Sequence, residues 1–445
     1  MSDRGAASDP EQPVLFPVCE PSPVVTSAGK LGARLREANR SQMAWGRIDL
    51  EAQLADDHPA RSIWAVVERL DLRALYGRIE ARDEVAGAPA IDPKILVALW
   101  VYATSDGEGS AREIWRLTEV HAAYRWLRGG VDVGYHTLSD FRSQRADVLD
   151  TLITQVLALL MKQDLVDLSR VAQDGTRVRA SAGAASFRRE QTLEALMQQA
   201  RKHLVAVTRE AADPSLTTLR AAARKRGARQ RIERLEAALA QVAEVTETKK
   251  RSGAKNATVR VSTTDPDARV MKMGDGGFRP AFNVQFATTT DAARVIVGVD
   301  VSNRGSDMGQ STPMLEQIEK RTGERPSELL VDGGYVQHAA IEQAADKQVT
   351  IYAPVPKPRK GDARDPHAPR DDDSEAVAAW RQRMATDEAK EIYKQRAATA
   401  ETVNADAKSK HGLDGLMVRG LGKALGSATL FALTYDILRL ITLGG

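Results

Sequence analysis

Cysteine is almost absent from the 445-residue chain: the single one, Cys19, lies in a Pro-rich stretch and can form neither an internal disulfide nor a multi-thiolate zinc site. Long apolar runs are missing too. The longest, near Ile95 to Ala103, falls well short of the roughly 20 residues a membrane crossing needs, so no membrane association is expected. Asp3, Arg4 and the prolines that follow leave no apolar stretch of the kind that opens a secretory signal, and the expected compartment is cytoplasmic. Neither charge sign dominates, with 63 Lys and Arg against 60 Asp and Glu for a net +3. With 42% apolar and 28% charged residues, the composition excludes wholesale disorder and a disulfide scaffold. P-loop, dinucleotide fingerprint, HExxH, GxSxG and Cys/His metal patterns are all lacking, which removes support for phosphate-cradling, zinc and serine-nucleophile chemistry.

What is present falls into three textures. Residues 1–45 carry Pro10, Pro13, Pro17, Pro21 and Pro23 without apolar periodicity and read as a flexible lead-in. Residues 46–160 read as a helical domain: Ile63, Val66, Val67 and Leu70 recur at helical spacing, and Asp92-Pro93 starts the run Ile95, Leu96, Leu99, Trp100. Trp100, Trp115 and Trp126 are expected in its core. From residue 165 to 443 strands and helices alternate as in α/β units. Leu168 to Ala180, Ala268 to Met273, Phe278 to Thr288, Arg294 to Val301, Glu328 to Val331 and Thr350 to Pro354 read as strands. One long helix is expected from Ser374 to Ser409 and a final apolar helix from Ala424 to Leu443, packed on the sheet.

A polar helical pair at 187–251 interrupts this domain, with fifteen basic residues against eight acids. A solvated hairpin and a phosphate-contacting arm both fit that excess.

Carboxylates are the chemistry that remains. Asp174 is expected to end the first strand and Asp332 a later one; on neighbouring strands both would project at one carboxyl edge, where hard divalent cations find oxygen ligands. Asp-Gly is also a strong turn signal, so Asp174-Gly175, Asp275-Gly276 and Asp332-Gly333 each have a turn reading, best for Asp275 and worst for Asp332. Asp300 and Asp307 are reserve candidates. Spacing puts Glu401, Asn404 and Lys408 on one helical face, so a carboxylate could face metal while an amide and an ammonium reach DNA; a solvated surface helix is the alternative.

Four runs in order, Val171 to Ala180, Ser262 to Phe278, Leu330 to Tyr335 and Tyr393 to Glu401, together resemble bacterial insertion-sequence DDE transposases. The nearest likeness is to the insertion-sequence eleven-eighty-two group within the IS-four and IS-five relatives. Ile91 to Lys94 through Tyr135 to Arg142 resembles the N-terminal domain of the same family, so the likeness covers about 45 to 443. The resemblance implies an α/β, ribonuclease-H-like mixed-sheet catalytic core with an N-terminal all-helical domain and a helical insertion. It implies that Asp174, Asp332 and Glu401 bind two Mg2+ or Mn2+ ions, and that the enzyme cleaves at the element's ends and transfers the strand to target DNA. Terminal inverted repeats and target DNA are the implied partners, in a complex expected to contain a homodimer. Tyr393, Arg396, Asn404 and Lys408, with Arg142 and Arg145 of the helical domain, are the implied DNA-contacting residues.

Two features depart from the family pattern. Four residues rather than three separate Arg396 from Glu401, which in a straight helix would put Arg396 off the Glu401 face, while Lys408 keeps its offset. Thr434-Tyr435-Asp436 stands where relatives often carry His-Asn. A catalytically inactive or domesticated DNA-binding descendant is the alternative function.

Overall fold

The structure, a computed structural model, describes residues 49–79, 89–144, 146–210, 218–251, 258–358 and 364–444. The helical half begins with α1 (Pro59–Arg69), whose His58 cap accepts the Ala60 N–H and whose Pro59 supplies a preset first-turn backbone. A short α2 (Arg73–Tyr76) leads to α3 (Pro93–Ser105), capped by Asp92. Nearly every residue of α3 is buried, because helices pack around all of it. α4 (Ala111–Val120), α5 (Ala122–Arg128), α6 (Tyr135–Gln144) and α7 (Ala146–Lys162) follow, and α5 and α6, with α1 and the C-terminal helix, pack on α3. Gly129, at φ 56°, ends α5 in the left-handed conformation that a Cβ would disfavour.

Trp100 is fully buried and donates its indole N–H to the Leu138 carbonyl. Trp126 is only partly covered. Trp115, expected in the core, is instead 41% exposed beside Tyr135.

The second half is built on a six-stranded mixed sheet. Its strands are β1 (Arg170–Arg179), β4 (Arg269–Lys272), β5 (Phe278–Thr289), β6 (Ile296–Ser302), β7 (Glu328–Leu330) and β8 (Thr350–Tyr352). β5 pairs antiparallel with β1 on one side, and with β4 and then β6 on the other; β7 joins β1 in parallel and β8 joins β7 in parallel. The Asp275-Gly276 turn closes the β4–β5 hairpin, with Gly276 at φ 81°, as its turn reading requires.

α10 (Ser311–Thr322) and α11 (His338–Asp346) serve β6 and β8. α15 (Leu421–Gly444) packs on β6 and β5, placing Phe431 5.2 Å from Phe286. α15 is long and apolar enough by composition to cross a membrane, yet most of it is buried inside the protein. It also packs on α3, α6 and α7, so helical half and sheet share one hydrophobic core.

Between β1 and β4 the chain makes β2 (Phe187–Arg188), α8 (Glu190–Glu210), α9 (Thr218–Arg251) and β3 (Val261–Ser262). α8 and α9 have a small core of their own, with Leu193, Met197, Leu235, Ala238 and Val242.

The single helix expected over 374–409 is in fact broken. α12 (Glu375–Ala385) ends before Thr386, whose extended backbone and side-chain cap start α13 (Asp387–Arg396). A π-helical turn (Ala397–Glu401) then leads into α14 (Thr402–Ser409).

Candidate active site

Asp174 does not end β1, as the sequence suggested; it lies mid-strand. β1 loses its parallel neighbour β7 after Ala172 but stays paired with β5 as far as Arg179, so no turn forms at Asp174-Gly175. The registers Val171↔Leu329 and Ala172↔Leu330, carried two residues further, put Asp174 and Asp332 at equivalent positions where the two strands part. Asp332 begins a single 3₁₀ turn (Gly333–Tyr335) and its Oδ1 accepts the Gly334 N–H at 2.7 Å.

Alternation along β1 turns Asp174 away from the face of Gln173, Gly175 and Arg177 and toward the helices that follow α12. There Arg396 donates from Nη2 to Asp174 Oδ1 at 2.7 Å and from Nη1 to Glu401 Oε1 at 2.8 Å. Asn404 Nδ2 donates to Asp174 Oδ2 at 2.9 Å. The π turn explains how Arg396 and Glu401 meet. Five α-helical steps rotate by about 500°, leaving the two residues on different faces, whereas a π turn aligns i with i+5. The residue that breaks the family spacing is thus absorbed locally, and the face offset expected of a straight helix does not arise.

Charge and burial pull against each other at this site. Burial raises the Asp174 carboxyl pKa and neighbouring Asp332 adds to the rise, while Arg396 and Asn404 oppose it. Burial also disfavours the Arg396 charge, but Asp174, Asp332 and Glu401 together with Tyr393 outweigh it, and its pKa is raised. Lys408 is half-buried and its pKa is lowered, by burial first and by Arg177 next. Burial raises the Tyr393 hydroxyl. Two buried atoms here, Arg396 Nε and Asn404 Oδ1, have no hydrogen-bond partner among the described residues. Among the described residues no three His, Cys, Asp or Glu side chains converge as a ready metal cage. The donor set is nevertheless the hard-oxygen chemistry that magnesium or manganese takes, and the Arg396 guanidinium stands where a cation would serve both Asp174 and Glu401.

The structure thus brings together Asp174, Asp332, Tyr393, Arg396, Glu401, Asn404 and Lys408. Arg396 and Asn404, expected to face DNA, spend their polar groups on Asp174 here. Arg142 also departs from expectation: it is buried in the helical core, its guanidinium stacked 4.6 Å from the Trp100 ring and bonded to the Gly109 carbonyl, so it does not present its charge to DNA. Arg145 lies outside the described residues.

A second polar network backs the opposite face of β1. Asp307, a reserve candidate, accepts from Arg177 (3.0 Å), Asn283 (2.7 Å) and Gln285 (2.7 Å), and Tyr335 donates to Gln285. A Cβ on Gly175 would collide with Gln285 and Asp307 and come within 2.9 Å of Asn283 Oδ1. Sequence reasoning passed over Asn283, Gln285 and Tyr335; the available signal was the alternation Phe282-Asn283-Val284-Gln285-Phe286, which puts amides inside an apolar strand. Asp300 lies on β6, half-buried, and takes no part in either network.

Two family descriptions match the chain: Transposase domain (DUF772) over residues 48–144, and Transposase DDE domain over residues 360–441. No curated protein and no solved structure matches it. The first match spans α1 to α6 and the second spans the helices that carry Arg396, Glu401, Asn404 and Lys408. Together they support an insertion-sequence transposase.

Proposed function

We propose that the chain is a DDE transposase that binds the terminal inverted repeats of its element, cleaves at their ends and joins them to target DNA, with Asp174, Asp332 and Glu401 as its acidic triad. The observation that carries this is the Arg396 bridge. Arg396 reaches Asp174 on β1 across 222 residues of chain and ties it to Glu401 in the second matched region, beside the register position of Asp332. The strand order supports a ribonuclease-H-like core: β6–β5–β1 antiparallel, then β7 and β8 parallel to β1. Placement in the insertion-sequence eleven-eighty-two group rests on the motif order, and the homodimer on the need to hold two ends in one complex.

Asp174, Asp332 and Glu401 would hold the divalent ions. When bound, these would supply Lewis-acid stabilisation of the attacking and leaving oxygens. The protein's own part is positioning and charge. Asn404 fixes the Asp174 carboxylate, Asp332 is oriented by the Gly334 N–H, and Arg396 balances the acids that would otherwise repel one another. Lys408 and Tyr393 lie beside the same acids and would meet a DNA backbone. Hydrolysis adds water to the phosphorus and frees a 3′ hydroxyl; that hydroxyl then attacks a target phosphate and displaces its 3′ oxygen.

The test is cleavage of DNA bearing the repeats that flank the gene, in magnesium or EDTA, by wild type, Asp332→Asn and Glu401→Gln. Magnesium-dependent nicking lost in both variants while binding persists supports the triad. Tight repeat binding without cleavage by wild type overturns it in favour of an inactive DNA-binding descendant.

A further inference from the structure

Away from the triad, a cavity of about 300 Å³ opens where the helical insert meets the sheet domain, lined by Leu196, Arg231, Arg234, Thr263, Thr264 and Arg419. Three arginines converge on it from separate parts of the chain: two from α9 and one from the segment just before α15. On the insert Arg201 pairs with Glu236 and Arg224 with Glu210. Among the described residues Arg231 and Arg234 have no acidic partner, and Arg419 makes only a 3.3 Å bond to the Ser181 carbonyl. The neighbouring acid does not fill the gap, because Asp265 is buried with Oδ1 on the Gly420 N–H at 3.1 Å, and burial raises its carboxyl pKa.

The pocket is held in place from below. Arg269 of β4 bonds Gln241 of α9, fixing the insert to the sheet. On α9, Arg220, Gly227, Arg231 and Arg234 share one face, where Arg224 is held by Glu210, and a Cβ on Gly227 would meet nothing within 4 Å. That open basic face leads along the helix into the cavity. Ser181 lies seven residues past Asp174 on the β1 path, so it is at most about 25 Å from the triad.

We propose that Arg231, Arg234 and Arg419 clamp a backbone phosphate of the bound DNA in this cavity, making the insert a sequence-independent anchor that sets the duplex over the triad. Guanidinium forks suit phosphate oxygens, and Thr264 lines the same wall. This inference rests on the transposase reading. It adds a DNA subsite outside both matched regions for its two α9 arginines.

Binding of the full chain to a repeat-bearing duplex is measured against salt, for wild type, for Arg231→Ala/Arg234→Ala/Arg419→Ala and for a control with equal charge loss on other faces of the insert, Lys202→Ala/Arg226→Ala/Arg229→Ala. Loss of one phosphate contact removes about 0.9 from the slope of log K against log salt, so the pocket variant is expected to be shallower by about 1 while the control keeps the wild-type slope. The triple Arg→Lys variant keeps the wild-type slope, which separates charge from misfolding. Equal slopes in pocket variant and control overturn the clamp while the transposase reading stands, with Asp332→Asn still binding but not cleaving. If wild type binds no DNA, both fall. Inorganic phosphate serves as the second probe: if it raises the thermal midpoint of wild type but not of the pocket variant, while the DNA slopes agree, the site takes a free phosphate and the DNA assignment is overturned.

Discussion

Arg396 is a cation enclosed by acids, and its two ion pairs differ in worth. Its pairing with Asp174 is largely withdrawn from water, with side chains 10% and 15% exposed, whereas Glu401 remains 53% exposed and its bond adds little. Arg396→Ala therefore leaves Asp174 buried without its counter-charge and is expected to cost about 3 kcal/mol in urea denaturation, nearly all of it recovered by adding Asp174→Asn. The same substitution removes the competing cation, so Mn2+ followed by electron paramagnetic resonance should bind Arg396→Ala more tightly than wild type; weaker binding would mean that Arg396 organises the acids rather than occupying their cation position. Asp436 is a different case, a fully buried acid that among the described residues is bonded only by the Ile296 N–H. Burial raises its pKa in the folded state above the unfolded value of about 3.9. Below that value both states are protonated and its contribution is fully present. As pH climbs, the unfolded chain ionises first, and stability is lost until the folded pKa is passed. Asp436→Asn keeps the acceptor and cannot ionise. Wild type should therefore lose stability relative to it from about pH 4 upward, by at most about 1.4 kcal/mol per pH unit, as read from paired denaturation curves; parallel curves would mean that Asp436 ionises as freely folded as unfolded.

The π turn at Ala397–Glu401 is the element on which the candidate site depends. A π turn is one residue inserted into an α-helix, so removing one residue should let the helix close as α with its two flanks still in phase. Deleting Ala398, which is exposed, is expected to keep the Arg396–Glu401 pairing and leave the thermal midpoint unchanged or higher. Inserting an alanine there should turn Glu401 away and abolish cleavage without unfolding the protein. If the deletion abolishes cleavage as the insertion does, the π turn has a role beyond alignment. This element also marks how far the sequence could be read. Helical periodicity was legible from Ser374 to Ser409, but periodicity does not reveal the Thr386 break, which arises from a side-chain cap, nor the extra turn residue, whose cost is offset by tertiary bonds to Asp174. Asp174-Gly175 was ambiguous for a similar reason. The pair looks the same in a hairpin turn as in a strand where Gly175 is needed to clear Asp307, and only pairing with β5 decides. Arg142 was legible as a charge, but not as a core residue stacked on Trp100.

At the scale of the whole molecule, α15 joins the two matched regions into one folding unit. It belongs by sequence to the second match, yet it packs on α3, α6 and α7 as well as on β5 and β6. The approach is close: a Cβ on Gly426 would lie 3.0 Å from the Arg142 carbonyl and 3.5 Å from Ala146 Cβ. Asp150 of α7 pairs with Arg321 of α10, linking the helical half to a helix packed on β6. The helical half thus lacks part of its own core until the C-terminal helix arrives. A fragment of residues 49–162 should expose the apolar faces of α3 and α7, bind a hydrophobic dye and show weak near-ultraviolet dichroism despite its tryptophans. In the full chain, Gly426→Leu should push α15 away from α6 and lower the stability of both halves together, by roughly 1–3 kcal/mol, in a transition that tryptophan fluorescence and sheet amide exchange report at the same denaturant concentration. Two separated transitions would instead make the helical half an autonomous folding unit. In that case loss of the second half would leave a folded helical remnant, which a single shared core forbids.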